Sequence, residues 1–133
     1  MTARLREILL VDDSEADNYI HRRVIQKSGV VETVSVARNG QEALDHLAQS
    51  EQPPELIFLD INMPVLDGWG FLEGLKELPE AKRHSVVITM LTTSQNQRDR
   101  ARAESLGVVA AFIVKPLIGV DLVAIVEEHF PQT

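Results

Sequence analysis

Five short apolar or β-branched runs punctuate the chain: "EILLV" (7–11), "VETVSVA" (31–37), "ELIFLD" (55–60), "SVVITMLT" (85–92) and "AAFIVK" (110–115). Runs of this length, without strict polar alternation, mark strands buried on both faces. Each is followed by a segment with helical signals. In "SEADNYIHRRVIQKSG" (14–29), Ala16, Ile20 and Val24 recur at i, i+4 and i+8, Ser14 offers an N-cap and Gly29 a stop. "NGQEALDHLAQ" (39–49) carries Asn39 with Glu42 three residues on, a capping-box variant. "DGWGFLEGLKEL" (67–78), the polar "SQNQRDRARAESLG" (94–107) and "IGVDLVAIVEEHF" (118–130) complete the set. Strict strand–helix alternation predicts an α/β fold, a parallel sheet covered on both faces with right-handed crossovers.

A chain of 133 residues, 44% of them hydrophobic, has room for one domain with a proper core. We expect a single domain over 1–133, its core spanning about residues 6–130. The absence of cysteine removes disulfides, iron–sulfur clusters and thiolate zinc sites. A formal net charge of −7 argues against wholesale binding to nucleic acid or to an anionic membrane. "MTARLREILL" has too short an apolar run for a signal peptide, and no stretch approaches membrane-spanning length. The expected location is the cytoplasm.

Ligands of an open parallel sheet bind beyond the carboxyl ends of its strands. Those ends carry Asp12 and Asp13, then Asp60, then Thr92 and Thr93, then Lys115. The second strand brings nothing comparable, which suggests an edge position. Strands about 4.8 Å apart would let three acids, a hydroxyl and a lysine meet in one small volume. Two carboxylates about 4 Å apart repel by roughly 4 kcal/mol at a surface-like dielectric. A hard divalent cation would reduce the charge of Asp12, Asp13 and Asp60 from −3 to −1. With a phosphoryl group on Asp60, metal and Lys115 together would again leave −1.

The motifs "LLVDD", "IFLDINMPVLDG", "MLTTS" and "FIVKP", in this order and each at a strand end, resemble the receiver domain of two-component response regulators. The resemblance implies a flavodoxin-like sheet of order 2-1-3-4-5, the order of the chemotaxis receiver. It implies Asp60 as phosphoacceptor, with Asp13 a direct ligand of Mg²⁺, Asp12 acting largely through metal-bound water, and the backbone carbonyl of Asn62 a further ligand. Thr92 matches the switch hydroxyl, Lys115 the phosphoryl-binding lysine, Phe112 the switch aromatic, and Lys115–Pro116 a cis peptide. The implied partners are a sensor histidine kinase or a histidine phosphotransfer protein, and a downstream protein target. The implied role is signalling through protein contacts, not enzymatic turnover, with no part for nucleic acid or membrane.

Plainer readings exist for each residue alone. Asp12 could cap a helix, Thr92 could be a strand residue and Lys115 could close a turn. Asp67–Gly68 reads as turn chemistry. His21, His46, His84 and His129 lack ligand spacing and read as surface residues. The "RDRARAE" run (98–104) reads as a solvated helix face. An aspartate-nucleophile phosphatase would need a second acid two residues after Asp60, where the chain has Asn62. Against a nucleotide- or flavin-binding domain, the chain has neither G-x-x-x-x-G-K-[ST] nor G-x-G-x-x-G, and the acids after its first strand would repel a phosphate. The stretch "LGVVAAF" holds one residue more than the family pattern leads us to expect, so Phe112 is placed by counting back from Lys115.

Overall fold

The computed structural model describes residues 4–83, 86–93 and 96–131. The chain runs β1 (Leu5–Val11), α1 (Glu15–Ser28), β2 (Val31–Ala37), α2 (Gly40–Gln49), β3 (Leu56–Leu59), α3 (Gly68–Leu75), a 3₁₀ turn (Glu80–Lys82), β4 (Val87–Thr92), α4 (Gln97–Leu106), β5 (Val109–Val114) and α5 (Gly119–His129). All pairings are parallel and the order is β2-β1-β3-β4-β5, the flavodoxin-like arrangement, with β2 at an edge. Chain order reverses between β1 and β3, and this switch point opens the crevice that holds the site. The expected starts of the fourth strand at Ser85 and the fourth helix at Ser94, and His84, lie outside the described residues.

Period-two alternation sends strand side chains into two cores. Leu9, Val11, Ile57, Leu59 and Met90 pack on one face with Ala43, Leu47, Phe71, Leu72 and Ala103 from α2, α3 and α4. Ile8, Leu10, Leu56 and Phe58 pack on the other with Ile25 from α1 and Leu122, Ile125 and Val126 from α5. A fully buried leucine or phenylalanine contributes about 1.5–3 kcal/mol relative to exposure, so these layers, not the helices' own propensities, hold the sheet.

Helix ends follow the sequence signals. Ser14, Asn39 and Asp67 accept from the N–H groups of Asp17, Glu42 and Gly70. Glu42 reaches back to the N–H of Arg38, one residue before the cap, so the capping box is shifted by one. Gly29 and Gly107 end α1 and α4 in left-handed conformation, φ 74° and 72°. Asp67–Gly68 is therefore a helix start.

Two expectations need correction. The apolar stripe of α1, Ala16–Ile20–Val24, faces outward, with Ile20 half exposed. The buried face is Asn18, His21 and Ile25, at i, i+3 and i+7. Counting apolar residues alone hid it, because two of its members make hydrogen bonds in place of apolar packing. His21, read as a surface residue, is buried, and His46 and His129 are half-buried. The extra residue of "LGVVAAF" is absorbed by a register shift. Ile88 pairs with Val109 but Thr89 with Ala111, so Ala110 bulges out and Phe112 regains its place opposite Met90.

Candidate functional site

The register of β1 and β3 builds the acidic centre. Val11 pairs with Leu59, so the residues that follow, Asp12 and Asp60, emerge side by side. The N–H of Asp12 donates to Ala37 O and that of Asp60 to Val11 O, which ties both backbones to neighbouring strands. Thr92 ends β4, and the N–H of Lys115 donates to Thr92 O at 2.8 Å, which brings the lysine in from β5. Lys115–Pro116 is cis. The four strand ends singled out in the sequence thus converge on one crevice.

Carboxylate oxygens of Asp12, Asp13 and Asp60 lie within 4.8 Å of one another. Asp12 and Asp60 are buried and Asp13 is exposed. Three crowded carboxylates open to water on one side are an oxygen-donor set that fits a hard divalent cation. Burial pushes the Asp60 carboxyl up to about 6, and the Asp12 charge pushes the same way. Lys115, the Ile61 N–H and the Thr92 hydroxyl pull against this without cancelling it. Asp60 is therefore an acid that gains from any added positive charge. Burial alone would lower the Lys115 ammonium, but hydrogen bonds to Asp12 and Asp17, with the charges of Asp60 and Asp12, together outweigh it and hold the lysine protonated. Its Nζ lies 2.5 Å from Asp12 Oδ2, 2.7 Å from Asp17 Oδ2 and 3.9 Å from Asp60 Oδ1.

Thr92 is fully buried, and its hydroxyl already bonds the Asp60 carboxylate. Phe112 is half-buried, packed against the core layer that contains Met90, with the Arg100 guanidinium 5.7 Å over its ring. Asn62, two residues after Asp60, is exposed. Gly68 explains the glycine of "LDG". A Cβ there would meet Asp60 O at 2.5 Å, and the Gly68 N–H donates to Ile61 O at 2.8 Å. The start of α3 is thereby pressed against the backbone of Asp60. Between them Val65 takes φ 68°, centred on a three-residue turn closed by the Leu66 N–H and Pro64 O. The "RDRARAE" run is largely solvated as expected, with Ala103 its buried member and Arg102 stacked 4.3 Å over Trp69.

Sequence reasoning missed the α1 contribution. The Asn18 amide donates to Asp12 O at 2.8 Å, and His21 Nε2 accepts the Leu117 N–H at 3.3 Å. Burial, then Lys115, hold the His21 ring below its usual pKa, against Asp17 and Asp12, which suits a neutral acceptor. The available signal was polar residues at core spacing directly after the paired aspartates.

A model of the response regulator receiver domain matches residues 8–127. The chain belongs to this family. The receiver domain is 38% identical over 109 residues to a protein-glutamate methylesterase/protein-glutamine glutaminase of Desulfotalea psychrophila, covering 82% of this chain and 29% of that protein. It is 38% identical over 97 residues to the response regulator Rcp1 of Synechocystis sp., covering 69% of this chain and 65% of that protein. The receiver domain thus spans less than two thirds of either relative's length. A two-component response regulator from Cytophaga hutchinsonii has a crystal structure that superposes with a TM-score of 0.87 at 26% identity, covering 97% of this chain and 99% of that one. Receiver domains are signalling domains, and no helix among the described residues is long and apolar enough to cross a membrane.

Proposed function

We propose that this receiver domain takes a phosphoryl group onto Asp60 from a sensor histidine kinase or histidine phosphotransfer protein, assisted by Mg²⁺, and signals through protein–protein contacts in the cytoplasm. What carries the reading is Asp60 itself. It is a buried carboxylate at a strand end, crowded by two acids, bonded to Thr92 and 3.9 Å from a lysine.

In the transfer, an Asp60 oxygen forms a bond to phosphorus while the donor's bond to phosphorus breaks and the donor group leaves. Charge spreads over the equatorial oxygens, so catalysis is positioning and neutralisation. Mg²⁺ would be held directly by Asp13, Asp60 and the Asn62 carbonyl and by Asp12 largely through water, and it would supply positive charge to the transfer. Lys115 adds a second positive charge and Thr92 a hydroxyl donor. Thr92 and Phe112 form the switch: the hydroxyl tightens toward the phosphoryl group and the ring settles further inward, shifting an existing population. The face of α4, β5 and α5 carries the readout. The domain itself turns over no substrate beyond its own phosphorylation and dephosphorylation.

Intact mass after incubation with acetyl phosphate and Mg²⁺ tests this. The wild type should gain one phosphoryl group, while the Asp60→Asn variant and the EDTA-treated wild type should gain none. A normal mass gain in Asp60→Asn moves the acceptor elsewhere and overturns the assignment.

A further inference from the structure

Lys115 is turned the wrong way for its task. An ammonium has three donors. Two are engaged by Asp12 Oδ2 at 2.5 Å and Asp17 Oδ2 at 2.7 Å, while Asp60 Oδ1 stands at 3.9 Å, outside hydrogen-bond reach. Asp12 is needed at the metal centre and also accepts the Ser14 N–H. Asp17 has no place in that centre. It lies in the first turn of α1, its own N–H bound to Ser14 Oγ at 3.1 Å. Asn18 and His21 bond Asp12 O and the Leu117 N–H. The same helix thus grips both sides of the crevice, and Asp17 is held where its carboxylate meets the lysine. The two ends of that contact differ in exposure. The Lys115 side chain is 9% exposed and that of Asp17 is 35% exposed. Water can therefore solvate Asp17 when the ammonium leaves, so the contact is breakable.

We propose that Asp17 is a positioning residue for the transfer: it holds the Lys115 ammonium beside Asp12 and off Asp60, and its hold sets how readily the ammonium reaches an incoming phosphoryl group. The inference rests on Asp60 as phosphoacceptor. A carboxylate at 2.7 Å competes with the phosphoryl oxygens for one donor of a single cation. Removing its charge while keeping its shape leaves a neutral amide oxygen as acceptor, which holds that donor more weakly. Part-exposed ion pairs of this kind have modest strength, so the gain is limited.

The test is the rate of phosphorylation by acetyl phosphate with Mg²⁺, followed by intact mass, in wild type, Asp17→Asn, Lys115→Ala and the double variant. Asp17→Asn should react about three- to tenfold faster and half-saturate at lower acetyl phosphate. The acceleration should vanish in the Lys115→Ala background. Equal acceleration in both backgrounds would mean a general charge effect and overturn the proposal. An unchanged rate with a lowered melting temperature would make Asp17 merely structural and also overturn it. Should Lys115→Ala react too slowly to follow, the Lys115 Cε signal by NMR decides in metal-free protein. The signal must move in Asp17→Asn and return toward wild type in Asp17→Glu, and a signal unmoved in Asp17→Asn sinks the idea. Failure of the wild type to take up any phosphoryl group would overturn the acceptor reading itself, which the wild-type arm reports separately.

Discussion

Glu7, on β1, and Asp60, just past the end of the adjacent β3, are both buried carboxylates, yet the protein treats them oppositely. Glu7, near the start of β1, accepts from the Ser35 hydroxyl at 2.7 Å and lies 2.7 Å from His46 Nε2 and 3.3 Å from the Arg6 guanidinium. Burial alone would raise its pKa, but Ser35, His46 and Arg6 outweigh burial and leave it lowered. Asp60, at the other end of the sheet, is raised to about 6, because burial and Asp12 outweigh Lys115, Ile61 and Thr92. Both are nearly closed to solvent, but Asp60 lies deeper and its neighbours neutralise it less. Glu7 has been given donors until its charge is favourable, which joins β1, β2 and α2. Asp60 is left under-neutralised, which is unfavourable for folding and suits the proposed phosphoacceptor.

The sharpest way to break this comparison is to neutralise each acid in turn. Glu7→Gln should lower stability by about 2 kcal/mol, below the range for a fully buried pair because His46 and Arg6 are part-exposed. Asp60→Asn should raise stability in EDTA by about 1–2 kcal/mol, since a like-charge conflict disappears. Urea unfolding at pH 7 measures both. Changes of the same sign would show that the two ends of the sheet do not differ as described.

Acid dependence sharpens the contrast. A raised folded pKa means that Asp60 binds more protons folded than unfolded between its ordinary 3.8 and about 6. Its contribution to stability is therefore full below 3.8 and lost as pH rises toward about 6. Glu7, lowered from 4.5, contributes stability above that value and loses it as pH falls through its depressed folded pKa. In metal-free protein, Asp60→Asn should therefore gain most over wild type above pH 6, and the gain should fade toward pH 4. Glu7→Gln should lose least at the lowest pH. A gain in Asp60→Asn that is constant from pH 4 to pH 7 would contradict the crowded-acid account.

Much of this contrast was legible in the sequence at one end and little of it at the other. Asp12, Asp13, Asp60, Thr92 and Lys115 announce themselves because charges and hydroxyls terminate apolar runs, and parallel topology gathers strand ends on one side. The sheet order and the edge position of β2 followed from the same reasoning and the resemblance. Glu7 gave no such signal, because its partners Ser35 and His46 come from β2 and α2 and meet it only in the folded chain. The Asn18–His21–Ile25 face of α1 was hidden by a rule that counts apolar residues, while the exposed Ile20 satisfied it. Asp17 was hidden for a related reason: on a helix's first turn an acid is ordinary dipole chemistry, and its pairing with Lys115 spans 98 residues of sequence.

The smallest expected effect asks whether unfavourable geometry, like unfavourable charge, gathers at the Asp60 end. Val65 follows Asp60 in the loop to α3 and sits at φ 68°, the residue 82% exposed. The turn it centres is the strained form of the three-residue turn, and a β-branched residue fits that region poorly. Such a residue costs about 1–3 kcal/mol. The loop enforces it from both sides, since Leu66 O accepts the Gly40 N–H at 2.7 Å and Gly68 N–H is bound to Ile61 O. Val65→Gly removes the strain and little burial, but gives the unfolded chain more freedom, which offsets part of the gain. The net should be a stabilisation of about 0.5–1 kcal/mol, read as a raised urea midpoint with unchanged slope. Because it acts on the backbone, it should add to the gain from Asp60→Asn in the double variant. A lowered midpoint in Val65→Gly would mean that the turn is not strained at Val65, and that the cost at this end of the sheet is electrostatic alone.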